Sequence, residues 1–138
     1  MTSRFLAALL ACALLAGTAP SVHAHHSVGG QFDMQKTVTL QGVVSKVDWV
    51  NPHIYVQLDV KGTDGKVEPW RLECVPVGMA RKAGLTKAML EGHGETVTVV
   101  AYPARDGTQH LGYITKLTFP DGHFFQFAAE TTGAKTTS

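Results

Sequence analysis

The sequence predicts an all-β domain with a short helical link, and three observations carry that prediction. Segments rich in β-branched residues recur at strand length along residues 37–127, separated by Gly, Pro and Asp-Gly turns. The first of them is long and shifts the phase of its apolar alternation at Gly42. Only residues 77–92 break the β pattern, with helical turns punctuated by glycines.

The elements follow in order. Residues 37–50 (TVTLQGVVSKVDWV) form the first strand, with Val38 and Leu40 in one phase and Val43, Val47 and Trp49 in the other. A glycine at a phase switch marks a bulge or barrel corner, so the strand is expected to bend at Gly42. Asn51-Pro52 interrupts it. Residues 53–60 then alternate cleanly, Ile54, Val56, Leu58 and Val60 on one face and His53, Tyr55, Gln57 and Asp59 on the other. A turn containing Asp64-Gly65 leads to a third strand at residues 67–75. There Trp70, Leu72 and Cys74 share a face, and Arg71 and Glu73 lie opposite as an expected outward ion pair. In the helical link Gly84 ends the first turn, Thr86 caps the second, and Gly92 lies just past it. Strands at residues 96–102, 111–119 and 123–127 complete the chain. Three strands, a helical link, then two or three strands, with a long bent first strand, are the order of a small OB-like barrel of five to six strands.

The N-terminus reads as an export signal. Arg4 gives a positive start, residues 5–17 (FLAALLACALLAG) are apolar, and Val22-His23-Ala24 fits a cleavage site. The apolar run is shorter than the ~20 residues a membrane span needs. A cut after Ala19 would place Pro20 at a position that blocks the peptidase. Leu9-Leu10-Ala11-Cys12 resembles a lipobox, but only eleven residues precede the cysteine and the apolar run continues past it. Residues 1–24 are therefore expected to be removed, leaving a periplasmic or secreted chain that begins at His25. Taking 24 from 138 residues leaves 114, enough for one domain. Residues 25–36 read as an arm, 37–128 as the barrel, and 129–138 as a small polar tail expected to be disordered.

Composition excludes several functions. Without Arg4 the chain holds 11 basic and 11 acidic residues, interspersed. No basic stripe is available for nucleic acid, and nothing supports stable membrane insertion once the signal is gone. Cys12 leaves with the signal and Cys74 stands alone, so no internal disulfide forms, and the thiol is expected to be an inert core group. No Gly-x-Ser-x-Gly or comparable nucleophile arrangement points to an enzyme.

Several segments together resemble a family of small exported bacterial proteins classed as a domain of unknown function. They are His25-His26-Ser27, Phe32-Asp33, the run from Val38 to Val44, Trp49-Val50-Asn51-Pro52-His53, Trp70 with Glu73, and Arg105-Asp106-Gly107. The His-His-Ser start and the W-x-N-P-H segment are its most specific parts. Members of that family often carry Gly-Trp-Thr where this chain has Gly84-Leu85-Thr86 and Gly-Asp where it has Gly92-His93. The resemblance implies export and a compact β domain; it implies no activity.

The candidate chemistry lies in the histidines. Cleavage after Ala24 would give His25 a free α-amine, of ordinary pKa ~8. That amine, the His25 and His26 imidazoles and the amide between them form a nitrogen-rich set. Planar nitrogen ligation favours Cu(II), so copper is the candidate cofactor. His53, held after Pro52, is the candidate remote ligand. His110, ending the loop between the fourth and fifth strands, is expected to converge with it. His93 and His123 fall in turns and read as solvated. Two functions are therefore open: a metal-binding accessory protein using His25, His26, His53 and His110, or a metal-free module docking on an envelope protein through the face of Tyr55 and Arg71.

Overall fold

A computed structural model of the chain describes residues 27–91 and 94–128. The expected signal, the residues His25 and His26, His93 and the expected tail lie outside the described residues.

β1 (Val38–Asp48) is long enough to hydrogen-bond on both flanks. Its second half pairs with β2 (Tyr55–Lys61) and its first half with β4 (Thr96–Pro103), both antiparallel. The two pairings overlap at Gly42 and Val43. β2 turns through Gly65, at φ 79°, into β3 (Val67–Glu73). The end of β3 runs parallel to the start of β5 (Leu111–Thr118), at Arg71–Leu111, Leu72–Gly112 and Glu73–Tyr113. β5 returns antiparallel to β4. The circuit β1–β2–β3–β5–β4–β1 closes a five-stranded barrel, and the short β6 (Phe124–Gln126) extends the sheet beside the far half of β5. The OB-like barrel expected from the element order is the fold observed.

The bend in β1 falls elsewhere than expected. The register slips between Val44 and Lys46, so Ser45 is the extra residue of the bulge. Leu40 and Gly42 are buried and Val44 packs against the core in the first phase; Val47 is buried in the second. Gly42 contributes no side chain to the alternation, so the sequence loses the phase there, three residues early. Its role is close approach. A Cβ at Gly42 would stand 2.5 Å from the carbonyl oxygen of Asp59 and 3.0 Å from Leu58 Cγ. β5 carries a second irregularity opposite Val100 and Ala101. There the Thr115 hydroxyl donates to the Val100 carbonyl at 3.0 Å, which satisfies a buried polar group.

The barrel interior is filled by Leu40, Val47, Val56, Leu58, Leu72, Val97, Val99, Ala101, Ile114 and Leu117. The link between β3 and β4 forms α2 (Val77–Lys82) and α3 (Lys87–Leu90). Their buried residues Val77, Ala80 and Leu90, with Leu85 between them, join the same core. Gly84 adopts φ 89° after α2, and Thr86 Oγ1 accepts from the Met89 amide at the start of α3, as the sequence predicts. The arm is more ordered than its lack of periodicity suggests. α1 (Val28–Gln31) precedes Phe32, which bridges to Ala104 and is almost fully buried.

Gly42→Ala places a methyl group against main chain, where no rotamer can relieve the contact. It is expected to destabilise the domain by about 1–3 kcal/mol and to lower its melting midpoint by at least ~4 °C. A midpoint equal to wild type would show that β1 and β2 separate at no cost.

Candidate functional site

The site grows from a cross-strand row at one end of β2 and β3. Tyr55 on β2 faces Glu73 on β3, which in turn faces Tyr113 on β5. These positions point away from the barrel interior, since Leu72 beside them points in. Glu73 is nevertheless only 6% exposed. Barrel closure brings Tyr113 to one side of it, and the segment between β1 and β2 brings His53 onto its carboxylate. That segment contains a cis Asn51–Pro52 peptide.

His53 Nδ1 contacts Glu73 Oε1, and the Tyr55 hydroxyl donates to Glu73 Oε2 at 3.5 Å. The expected Arg71–Glu73 surface pair is thus corrected. The Arg71 guanidinium lies over the Tyr55 ring, 4.5 Å from its centroid, and Glu73 is engaged by His53 instead. A carboxylate accepts hydrogen bonds and does not donate them, so it holds a proton on Nδ1; whenever the ring is neutral, its lone pair is then on Nε2. Among the described residues Nε2 has no hydrogen-bond partner, and the side chain remains 22% exposed. This is the arrangement by which a carboxylate orients a metal-binding imidazole.

The phenols and the thiol nearest the carboxylate keep their protons. Burial raises the Tyr55 phenol above its ordinary range, and the Glu73 charge adds to that, so it remains a donor. Burial pushes Tyr113 up to about 12, with the charges of Cys74, Glu73 and Tyr102 adding. Burial pushes the Cys74 thiol, which points into the core, up to about 12 as well. Beside Tyr55 an open cleft of about 270 Å³ is lined by Lys46, Asp48, Tyr55, Val56, Gln57 and Arg71.

His110 does not join His53. It sits at φ 57°, its carbonyl accepts from the Arg71 amide at 2.8 Å, and its ring lies 5.3 Å from Trp70. Its Nε2 approaches Glu68 at 3.4 Å. Glu68 and Glu73 are five positions apart on β3, a separation of ~16 Å along the strand. The expected convergence of the two loops fails because each imidazole takes its own carboxylate at a different end of β3. His123 stacks on Phe119 at 4.4 Å and contacts Asp121, within its turn. Among the described residues no three His, Cys, Asp or Glu side chains gather into a metal-sized group. His25 and His26 fall outside that set.

The arm docks close to this row. The Phe32 ring lies 5.7 Å from Tyr113, the register neighbour of Glu73. The Asp33 amide donates to Pro103 O and the Arg105 amide to Gln31 O, both at 2.9 Å. The Arg105 side chain adds Nε to Gly29 O at 3.0 Å and Nη2 to Phe32 O at 3.3 Å. In the sequence Arg105 stands out only within the Arg105-Asp106-Gly107 segment of the family resemblance.

Residues 11–113 match the model of a family of unknown function, DUF6152. The chain belongs to that family. No curated protein and no solved structure matches it. In this DUF6152 chain the W-x-N-P-H segment delivers the histidine that Glu73 holds, and the Arg105-Asp106-Gly107 segment holds the arm.

The raised Cys74 and Tyr113 groups give a pH prediction. Both stay protonated in the folded chain at pH values where the unfolded chain has lost those protons, beginning with the thiol at its ordinary 9.0. Stability is therefore fully present below about pH 9 and falls as the pH rises toward 12. Urea unfolding midpoints should be flat from pH 7 to 8.5 and drop above, and Cys74→Ala should remove the earliest part of that drop. A thiol reagent at pH 8 should modify the native protein at least ~100-fold more slowly than the unfolded one.

Proposed function

We propose that this protein is an exported copper-binding accessory protein whose site joins the processed N-terminus to His53. The observation that carries the reading is the buried Glu73 carboxylate on Nδ1 of His53, with no hydrogen-bond partner on Nε2 among the described residues. A buried carboxylate is costly unless it is paired. Spending one to orient a half-buried imidazole is intelligible when that imidazole binds something.

The arm supports the same reading. Phe32 lies against Tyr113, and Tyr113 neighbours Glu73. The reading requires an amine at His25 and an imidazole at His26 to meet His53. Amine, imidazole and deprotonated amide nitrogens in a plane are a Cu(II) set rather than a zinc set.

The metal-free alternative, a module docking on an envelope protein, is favoured by one feature, the cleft beside Tyr55 with Arg71 laid on the ring. Copper titration separates the two. The intact mass of the exported protein should correspond to a chain starting at His25. That chain should bind Cu(II) with nitrogen-dominated coordination in its electron paramagnetic resonance spectrum, more tightly than a free His-His-Ser peptide. His53→Ala should weaken binding at least ~10-fold, about 1.4 kcal/mol, and an added Met before His25 should reshape the spectrum. Binding no tighter than the peptide, or a start at another residue, would leave the docking module as the better reading.

A further inference from the structure

We propose that the cleft on the outer face of β1, β2 and β3 is a binding site for the carboxylate of a small monoanionic organic acid, with Arg71 as its principal donor. All of its residues lie on the barrel, so it is independent of the proposed copper site.

The strand register builds the cleft. Lys46, Gln57 and Arg71 pair across three strands in one row, and Asp48, Tyr55 and Glu73 form the next row on the same face. The open volume over these rows is about 270 Å³, close to the ~300 Å³ at which small-molecule sites begin. The acids of this face are engaged elsewhere. Asp48 pairs with Lys46 at 2.8 Å, Asp59 accepts from the Ser45 hydroxyl at 2.9 Å, and Glu73 is held by His53 and Tyr55. Arg71 is the exception. Among the described residues its guanidinium has neither a carboxylate nor a hydrogen-bond acceptor; its contact is the Tyr55 ring, 4.5 Å from the centroid.

That contact presents the group rather than consuming it. An aromatic ring attracts a guanidinium through its π face and takes up none of the N–H donors. The backbone beneath is anchored on both sides, since Arg71 pairs with Gln57 and its amide donates to His110 O at 2.8 Å. A carboxylate matches the guanidinium fork with two parallel hydrogen bonds. Such bidentate geometry is what lifts an exposed ion pair above a screened surface contact. The Gln57 side chain, lining the cleft between the two cations, offers a neutral amide donor. Lys46 and Arg71 against Asp48 leave one positive charge in excess. A monoanion neutralises it, and a dianion exceeds it.

The test is a titration of the full chain with sodium acetate at about pH 7, followed by nuclear magnetic resonance, with sodium chloride at equal ionic strength as the blank. Saturable shifts are expected at the Arg71 Nε–H and the Gln57 side-chain amide, with a Kd on the order of 1 mM. Arg71 is exposed, so its variants should keep the spectrum of the remaining barrel. Arg71→Gln should weaken binding at least ~10-fold, and Arg71→Lys, which keeps the charge and loses the fork, at least ~5-fold. Tyr55→Phe keeps the ring and should bind as wild type, whereas Tyr55→Leu should weaken binding at least ~3-fold. His53→Ala should leave acetate binding unchanged, which separates this site from the copper reading. Unsaturable shifts equal to those of chloride would overturn the proposal, as would an Arg71→Gln chain that titrates like wild type. Tighter binding of sulfate, a dianion, than of acetate would overturn the monoanion assignment.

Discussion

Everything in this molecule depends on β1 being shared. One strand supplies hydrogen bonds to β2 along one half and to β4 along the other, and the halves overlap at Gly42 and Val43. Two antiparallel ladders can meet on one residue only if the flanking backbones come close, and at Gly42 the Asp59 carbonyl occupies the space a side chain would need. The bulge at Ser45 then rotates the remainder of β1 so that Val47 returns to the interior. With β1 bent and doubly paired, the last strands can close on β3. Closure places Tyr113 beside Glu73, and without it that carboxylate would sit on an open edge.

The buried carboxylate is the second constraint, and it follows from the first. A charge removed from water needs partners, and Glu73 has two, the His53 ring nitrogen on one oxygen and the Tyr55 hydroxyl on the other. Tyr55 is itself braced by the Arg71 guanidinium over its ring. The result is a short chain of fixed side chains, Arg71 to Tyr55 to Glu73 to His53, spread over two strands and the segment before them. Rotating the imidazole would break its contact with a nearly buried carboxylate, so Nε2 is held in one direction. That fixity distinguishes His53 from His123, whose partners lie within its own turn.

Much of this was legible in the sequence, and what was not has physical reasons. Strand positions, the glycine and threonine that end and start the link helices, and the closed barrel follow from local alternation and turn residues. Gly42 was recognised as special but for the wrong reason, because a residue without a side chain cannot show which way it points. Glu73 read as an outward surface acid because alternation reports only which face a residue takes. It does not report whether another strand and a loop cover that face. The separation of His53 from His110 depends on which carboxylate each imidazole finds, a long-range property absent from either loop. Arg105 was invisible as a clamp for the same reason, since its partners are backbone carbonyls that carry no sequence.

The division of the proposed site between barrel and arm has a thermodynamic logic. Ordering one residue of backbone costs roughly 1–2 kcal/mol. A wholly flexible arm from residue 25 to the start of β1 would have to be ordered when the metal binds, at a cost comparable to the free energy of a tight complex. The described arm is already seated by Phe32, by two main-chain hydrogen bonds, at Gln31 and Asp33, and by the Arg105 side chain. Residues 27–36 are thus ordered by the fold itself. Folding has therefore met most of the ordering cost in advance, and Glu73 has met the remainder on the barrel side by holding the ring. A free His-His-Ser peptide has neither advantage, so under the proposed reading any excess copper affinity of the processed chain over that peptide would measure what the barrel contributes.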